Sequence, residues 1–310
     1  MTPRTQRTRL LAAGAVAASV TLVLTGCSSS SKSDGGSGAP NASTTVNAVK
    51  ADDKLAALVP ADVKSSGKLV VGADASYAPD EFKDDSGKVI GMDVDLANAI
   101  AAKLGLKADV QDSGFTAIIP GIQSNKFQLG MSSFTDNKER EQIVDMVTYF
   151  NSGSAIAVKK GNPDKVDPAD LCGKKVAVQT GTTQADEIKD TRNPDCAKAG
   201  KPGIQNDGDK FDLQTDVTNA VVSGRDQAMM ADSQVVDYAI KQAGGQLEKL
   251  GSTYGVAPYG VAVAKGSKLT PAIQGAVQSL IDDGTYKQIL TKWGVESGAL
   301  DKSTVNGAVN

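Results

Sequence analysis

Residues 173–183 read Gly-Lys-Lys-Val-Ala-Val-Gln-Thr-Gly-Thr-Thr, and their order decides the fold class. Lys174 to Val178 is an apolar run of strand length, Gly181 permits a tight turn, and Thr182 and Thr183 can cap a helix. The stretch therefore predicts a strand running directly into a helix, the building unit of an α/β protein.

The same alternation continues on both sides. Upstream, Lys68 to Gly72 reads as a strand and Asp93 to Leu104 as a helix, with Val94, Ala97, Ala101 and Leu104 on one face and Gly105 as its stop. Lys107 to Gln111 is a second strand, Phe115 to Gln123 a helix and Gln128 to Met131 a third strand. Downstream come helix Asp216 to Val222, strand Gln227 to Ala231 and helix Ser233 to Gln242, then helices Pro271 to Ile281 and Thr285 to Trp293. Ala155 to Val158 can cross from the first series to the second, and Gly260 to Ala264 can cross back. Two α/β lobes joined by two strands result, and no internal repeat is present.

Open α/β sheets gather ligands at the carboxyl ends of their strands, so two facing lobes make a cleft lined by such ends. Thr182 and Thr183 sit at one end, where free helix N–H groups suit a carboxylate or phosphate. Arg140 follows strand Gln128 to Met131, and its planar fork can hold a carboxylate through two parallel bonds. Asp232 directly follows strand Gln227 to Ala231, where it either binds an ammonium group or caps the next helix. Together these groups fit a zwitterion.

The N-terminus carries Arg4, Arg7 and Arg9 and then an apolar run from Leu10 to Leu24. At about 15 residues the run is shorter than the roughly 20 of a permanent span, so it reads as a cleaved signal. It closes on Leu24-Thr25-Gly26-Cys27, which looks like a bacterial lipobox, with Cys27 as the acylated residue. A Ser/Gly-rich stretch follows, whose coil dimension is on the order of 25 Å. The expected organisation is signal 1–26, lipidated Cys27 and flexible linker 27–66, first lobe 67–153, second lobe 154–256, hinge return with the rest of the first lobe 257–296, and tail 297–310.

The formal net charge is −3, and loss of the three signal arginines takes it to −6. Nucleic-acid partners need clustered Lys and Arg to displace counterions, and no such cluster exists. The chain has no histidine. Ser-His and Cys-His nucleophile pairs are thereby excluded, a zinc site is disfavoured, and neither metal nor cofactor is expected. Cys172 and Cys196 suit neither a CxxC zinc pair nor a redox motif, and in an exported protein they are expected to close a disulfide.

From Lys68 to Trp293 the chain resembles the extracellular solute-binding proteins of family three, the amino-acid-binding proteins of ABC importers. The resemblance lies in Gly72-Ala73-Asp74-Ala75-Ser76-Tyr77-Ala78-Pro79, Gly91-Met92-Asp93-Val94-Asp95-Leu96, Phe115 to Pro120, residues 173–183, residues 259–266 and Asp283-Gly284-Thr285-Tyr286. It implies a two-lobed, periplasmic-binding-protein-like (type II) fold with two hinge crossings and a ligand cleft between the lobes. It implies that Arg140, the Thr135 N–H and Thr182 or Thr183 hold an α-carboxylate, while Asp232, the Ser133 carbonyl and the Thr135 hydroxyl hold an α-ammonium. Tyr77 and Phe115 then flank the ligand side chain, and Asp74 reads its tip. Asp93 and Asp95 are expected to cap a helix rather than bind metal.

Asp80 stands where the family has an aromatic, and Met92 replaces the aromatic before Asp93. With Asp74 and Asp80 both expected near the pocket, the ligand is expected to be a polar or basic amino acid. The implied partners are the free amino acid, a membrane permease and the lipid on Cys27, with the protein a monomer on the outer face of the cell membrane. Two other readings share the features: a ligand-sensing lipoprotein and an exported dehydratase on the same fold.

Overall fold

The structure is a computed structural model that describes residues 48–309. The expected signal peptide, Cys27 and the Ser/Gly-rich stretch to Asn47 lie outside the described residues. Two short helices come first, α1 (Asp53–Ala57) and α2 (Ala61–Ser66). They correct the expected linker 27–66. Val59 and Val63 are buried in the first lobe's core and Leu55 packs against it, so these apolar side chains hold the segment to the folded part.

The first lobe continues with β1 (Lys68–Ala73) and a three-stranded antiparallel sheet of β2 (Ser76–Tyr77), β3 (Glu81–Lys83) and β4 (Val89–Ile90). It then runs through α3 (Met92–Lys103), β5 (Lys107–Asp112), α4 (Phe115–Gln123), β6 (Leu129–Gly130) and α5 (Lys138–Ile143). The long strand β7 (Val144–Lys159) leads into the second lobe. That lobe holds β8 (Val176–Gln179), α6 (Thr183–Glu187), α7 (Asn193–Lys198), β9 (Asp209–Phe211), α8 (Gln214–Ser223), β10 (Ala228–Asp232) and α9 (Ser233–Gln242). A π-helical turn at Ile188–Arg192 joins α6 to α7. The long strand β11 (Leu247–Ala264) returns to the first lobe, which closes with α10 (Thr270–Asp282) and α11 (Thr285–Trp293).

The large sheet has the order β5-β1-β6-β11-β7-β10-β8-β9. Its inner strands β1, β8 and β10 read as nearly unbroken apolar runs because both faces are covered. In β10, Met229 and Ala231 join one core of the second lobe, with Val217, Val221 and Val236, while Ala228 and Met230 join the opposite core, with Val178 and Ile188. Alternation of side chains across the pleat divides them in this way. Each fully buried Val, Ile or Met stabilises the fold by about 1.5–3 kcal/mol before entropy is counted. The disulfide between Cys172 and Cys196 ties the approach to β8 to α7.

The two crossings are longer than expected. Ala155 to Val158 is the end of a strand of 16 residues and Gly260 to Ala264 the end of one of 18. Between the lobes the strands pair with each other, Phe150 with Tyr259, Asn151 with Pro258 and Ser152 with Ala257. Asn151-Ser152-Gly153-Ser154 has weak strand propensity and reads as a break, but the ladder with β11 carries it. A Cβ on Gly153 would lie 2.6 Å from the Tyr254 carbonyl oxygen, so only glycine permits this approach.

Candidate ligand-binding site

Four loops of the first lobe build one wall of the cleft. Asp74 follows β1, and its carboxylate accepts the Phe115 N–H at 3.0 Å and the Gln179 amide at 2.9 Å. Its own N–H donates to the Ser132 hydroxyl at 2.9 Å. Ser133, just after β6, adopts φ 53°, a left-handed conformation uncommon outside glycine. Two buried acids hold it there: its N–H donates to Asp93 at 2.9 Å and its hydroxyl to Asp80 at 3.0 Å. Arg140 lies in the first turn of α5, whose Asn137 cap accepts the Arg140 N–H at 2.8 Å. The guanidinium donates to the Thr135 carbonyl at 2.9 Å and, across the cleft, to the Gly181 carbonyl at 3.2 Å. It also lies over the stacked rings of Phe134 and Phe115, 5.3 and 5.7 Å from their centroids.

The second lobe supplies the facing wall. The Thr182 hydroxyl donates to the Gln179 carbonyl at 2.8 Å and accepts the Ala185 N–H, capping the helical run that begins at Thr183. Asp232 occupies the N-cap position of α9 but makes no side-chain capping bond. Its carboxylate instead accepts the Tyr259 hydroxyl at 2.6 Å, the Tyr77 hydroxyl at 2.9 Å and the Gln184 amide at 2.9 Å. Tyr77 belongs to the first lobe. This bond, like those of Arg140 to Gly181 and Gln179 to Asp74, joins the two walls.

Burial holds the carboxyls of Asp74 and Asp232 above the ordinary aspartate range. Burial also lowers the Arg140 value, against the more distant fields of Asp186 and Asp232. Behind the first wall, Asp80, Glu81 and Asp93 form a buried acidic group. Burial, then the field of Asp93, pushes Asp80 and Glu81 well up, and burial takes Asp93 to about 6. Among the described residues no cluster could hold a metal ion.

Asp74, Tyr77, Phe115, Ser133, Thr135, Arg140, Thr182, Thr183 and Asp232, the residues singled out in the sequence, all line one small pocket between the two walls. Ser132, Gln179 and Gln184 line it too and were missed. The two glutamines flank the Gly181-Thr182-Thr183 turn, so the strand end and first helical turn carried a signal for them. Tyr259, remote in sequence, carried none.

One expectation is sharpened and one needs correction. Asp80 lies near the pocket but does not line it. It is fully buried behind Ser133, where Gln234 of α9 donates to it at 2.6 Å, so it acts on the pocket through its neighbours. Asp93 and Asp95 do not cap α3, whose N-cap is Gly91. Asp93 accepts from Ser133 and the Tyr149 hydroxyl, and Asp95 from Lys292 and Trp293. Tertiary donors there outcompete the local backbone.

The chain is 35% identical to the arginine-binding protein of Corynebacterium glutamicum over 82% of its own length and 83% of that protein. It is 29% identical to the L-cystine-binding protein of Escherichia coli strain K12, over 74% and 84% of the two chains. An ancestral arginine-binding protein solved with arginine bound superposes with a TM-score of 0.66 at 37% identity, covering 73% of this chain and 98% of that one. Residues 69–296 match the profile of one family, and on this evidence the chain belongs to the bacterial extracellular solute-binding proteins, family 3.

Proposed function

We propose that this protein captures a free basic amino acid, with arginine the first candidate, and delivers it to the membrane permease of an ABC importer. One observation carries the choice of ligand. The charged side chains lining the cavity are one guanidinium, Arg140, and two carboxylates, Asp74 and Asp232, a formal charge of −1. A basic amino acid, with one carboxylate and two cations, is the complement. The arginine-binding relative and the ancestral arginine complex support the same choice over cystine, whose net charge is zero.

In this reading Arg140, the Thr135 N–H and the helix start at Thr182 and Thr183 take the α-carboxylate. Asp232, the Ser133 carbonyl and the Thr135 hydroxyl take the α-ammonium. Tyr77 and Phe115 flank the aliphatic part of the side chain, and Asp74 receives its cationic end. Binding rather than turnover is the function, as with the relatives named above. The lobes act as a clamp in which ligand bonds to both walls favour the closed state. The same proposal makes the protein a monomer held by a lipid on Cys27 at the outer face of the membrane.

Calorimetry with arginine, lysine, glutamine, cystine and glutamate tests the ligand class. Arginine and lysine should bind most tightly and glutamate least. Equal affinity for glutamine or glutamate would remove the basic assignment. Replacing Cys27 by Ala should release the protein from membranes and leave affinity unchanged.

A further inference from the structure

The segment after α11 lies outside the family match at 69–296, yet it makes an orderly set of bonds to the cleft machinery. Along residues 144–151, β7 pairs on one side with β11, and its other edge is covered by residues 303–306. The Ser303 hydroxyl donates to the Thr148 carbonyl at 2.8 Å, and the Thr304 N–H to the Thr148 hydroxyl at 2.8 Å. Val305 bridges Val147, and Asn306 meets Met146 twice, its N–H on the carbonyl at 2.8 Å and its side-chain oxygen under the N–H at 3.0 Å. The segment then leaves the strand and reaches the ligand loop. The Gly307 N–H donates to the buried Asp136 carboxylate at 2.7 Å, and the Ala308 N–H to Glu141 at 2.9 Å.

Asp136 and Glu141 bracket Arg140 in sequence, and Asp136 follows Thr135 directly. From its other side the same loop is held by the return strand, through the Asp136 N–H on the Pro258 carbonyl at 2.7 Å and the Gly260 N–H on the Phe134 carbonyl at 2.8 Å. The loop is thus clamped between β11 and the segment. We infer that residues 303–308 are a positioning strap that holds the loop bearing Ser133, Thr135 and Arg140 in register with the hinge strand β7. None of residues 303–308 lines the pocket. It sets the placement of the guanidinium that the functional reading assigns to the carboxylate, and to that extent it rests on that reading.

The test uses the full chain, a chain ending at Lys302, and Asn306→Ala, with arginine affinity by calorimetry and amide exchange by mass spectrometry. Without the strap, amides in 133–143 should exchange at least tenfold faster while those of β8 and β10 are unchanged, and affinity should fall at least tenfold. Asn306→Ala should move both in the same direction by less. In an Arg140→Ala background the truncation should change affinity by under twofold, a non-additivity that mere loss of stability does not produce. Unchanged exchange in 133–143, or equal affinity losses in both backgrounds, overturns the inference. If truncation unfolds the chain, Asn306→Ala and Asp136→Asn decide it: no change in exchange from either overturns it. Unaltered arginine binding by Arg140→Ala alone would fail the functional reading, and the exchange result would still decide the strap.

Discussion

The two charged ends of the cavity are built differently. Arg140 has five N–H donors, and protein groups take two of them, both backbone carbonyls; among the described residues no carboxylate pairs with it. Asp232 has about four acceptor sites, and neutral donors from Tyr77, Tyr259 and Gln184 already take three of them. The anion is solvated by the protein in advance, whereas the cation waits for a partner of full charge. A ligand carboxylate therefore gains more at Arg140 than a ligand ammonium gains at Asp232.

This asymmetry orders the expected effects of substitution. Arg140→Ala should weaken arginine binding by about 3 kcal/mol in calorimetry, since it removes a charge-assisted, bidentate contact in a desolvated site. Asp232→Asn should cost about 2 kcal/mol, because one charge-assisted bond to the ammonium is lost. A larger loss at Asp232 than at Arg140 would break the comparison. Tyr259→Phe should raise affinity by about 1 kcal/mol, because it frees an acceptor on Asp232 for the ligand ammonium, and Tyr77→Phe should gain less, because it also loses a bond between the walls. Tyr77→Phe should also speed ligand release in stopped-flow measurements, because its hydroxyl joins the two walls.

The smallest effect is that of pH, and its sign is fixed by linkage. Burial raises Asp74 and Asp232, and a cationic ligand favours their charged forms. Binding thus releases protons, so affinity is full above the raised values and falls as pH drops through them. Asp232→Asn should flatten this slope and Arg140→Ala should move it to higher pH, since the guanidinium's field lowers the Asp232 value. Stability of the unliganded protein should run the other way. Asp93, at about 6, binds its proton more tightly folded than unfolded, so the melting temperature should rise as pH falls from 7 to 5.

Much of this site was legible in the sequence because its parts sit at strand ends and helix starts, where backbone geometry limits side-chain direction. Phe115–Gln123 and Thr285–Trp293 carried their own bounds in helical periodicity. Asp232 was ambiguous between capping and binding, since both demand the same residue at the same place; the tertiary donors Tyr259, Tyr77 and Gln184 take its carboxylate away from the cap. The two long strands were hidden for a related reason. Their middle residues are small and polar, and their pairing partner lies about a hundred residues away in the chain. The helices at 53–66 escaped because short segments draw their stability from a distant core rather than from local propensity.

The paired crossings have a consequence for how faithfully the cleft reforms. A single connecting strand leaves its two ends free to swivel about the chain as well as to bend. β7 and β11 run side by side through the junction, bonded at Phe150 to Tyr259 and Ser152 to Ala257, and a ribbon of this kind resists rotation about its length while it still flexes across its plane. In the proposed clamp, opening would therefore favour bending over swivelling. In that clamp each closing stroke would bring Asp232 back to Tyr77 and Gly181 back to Arg140 along the same arc, so successive solutes would meet the same template.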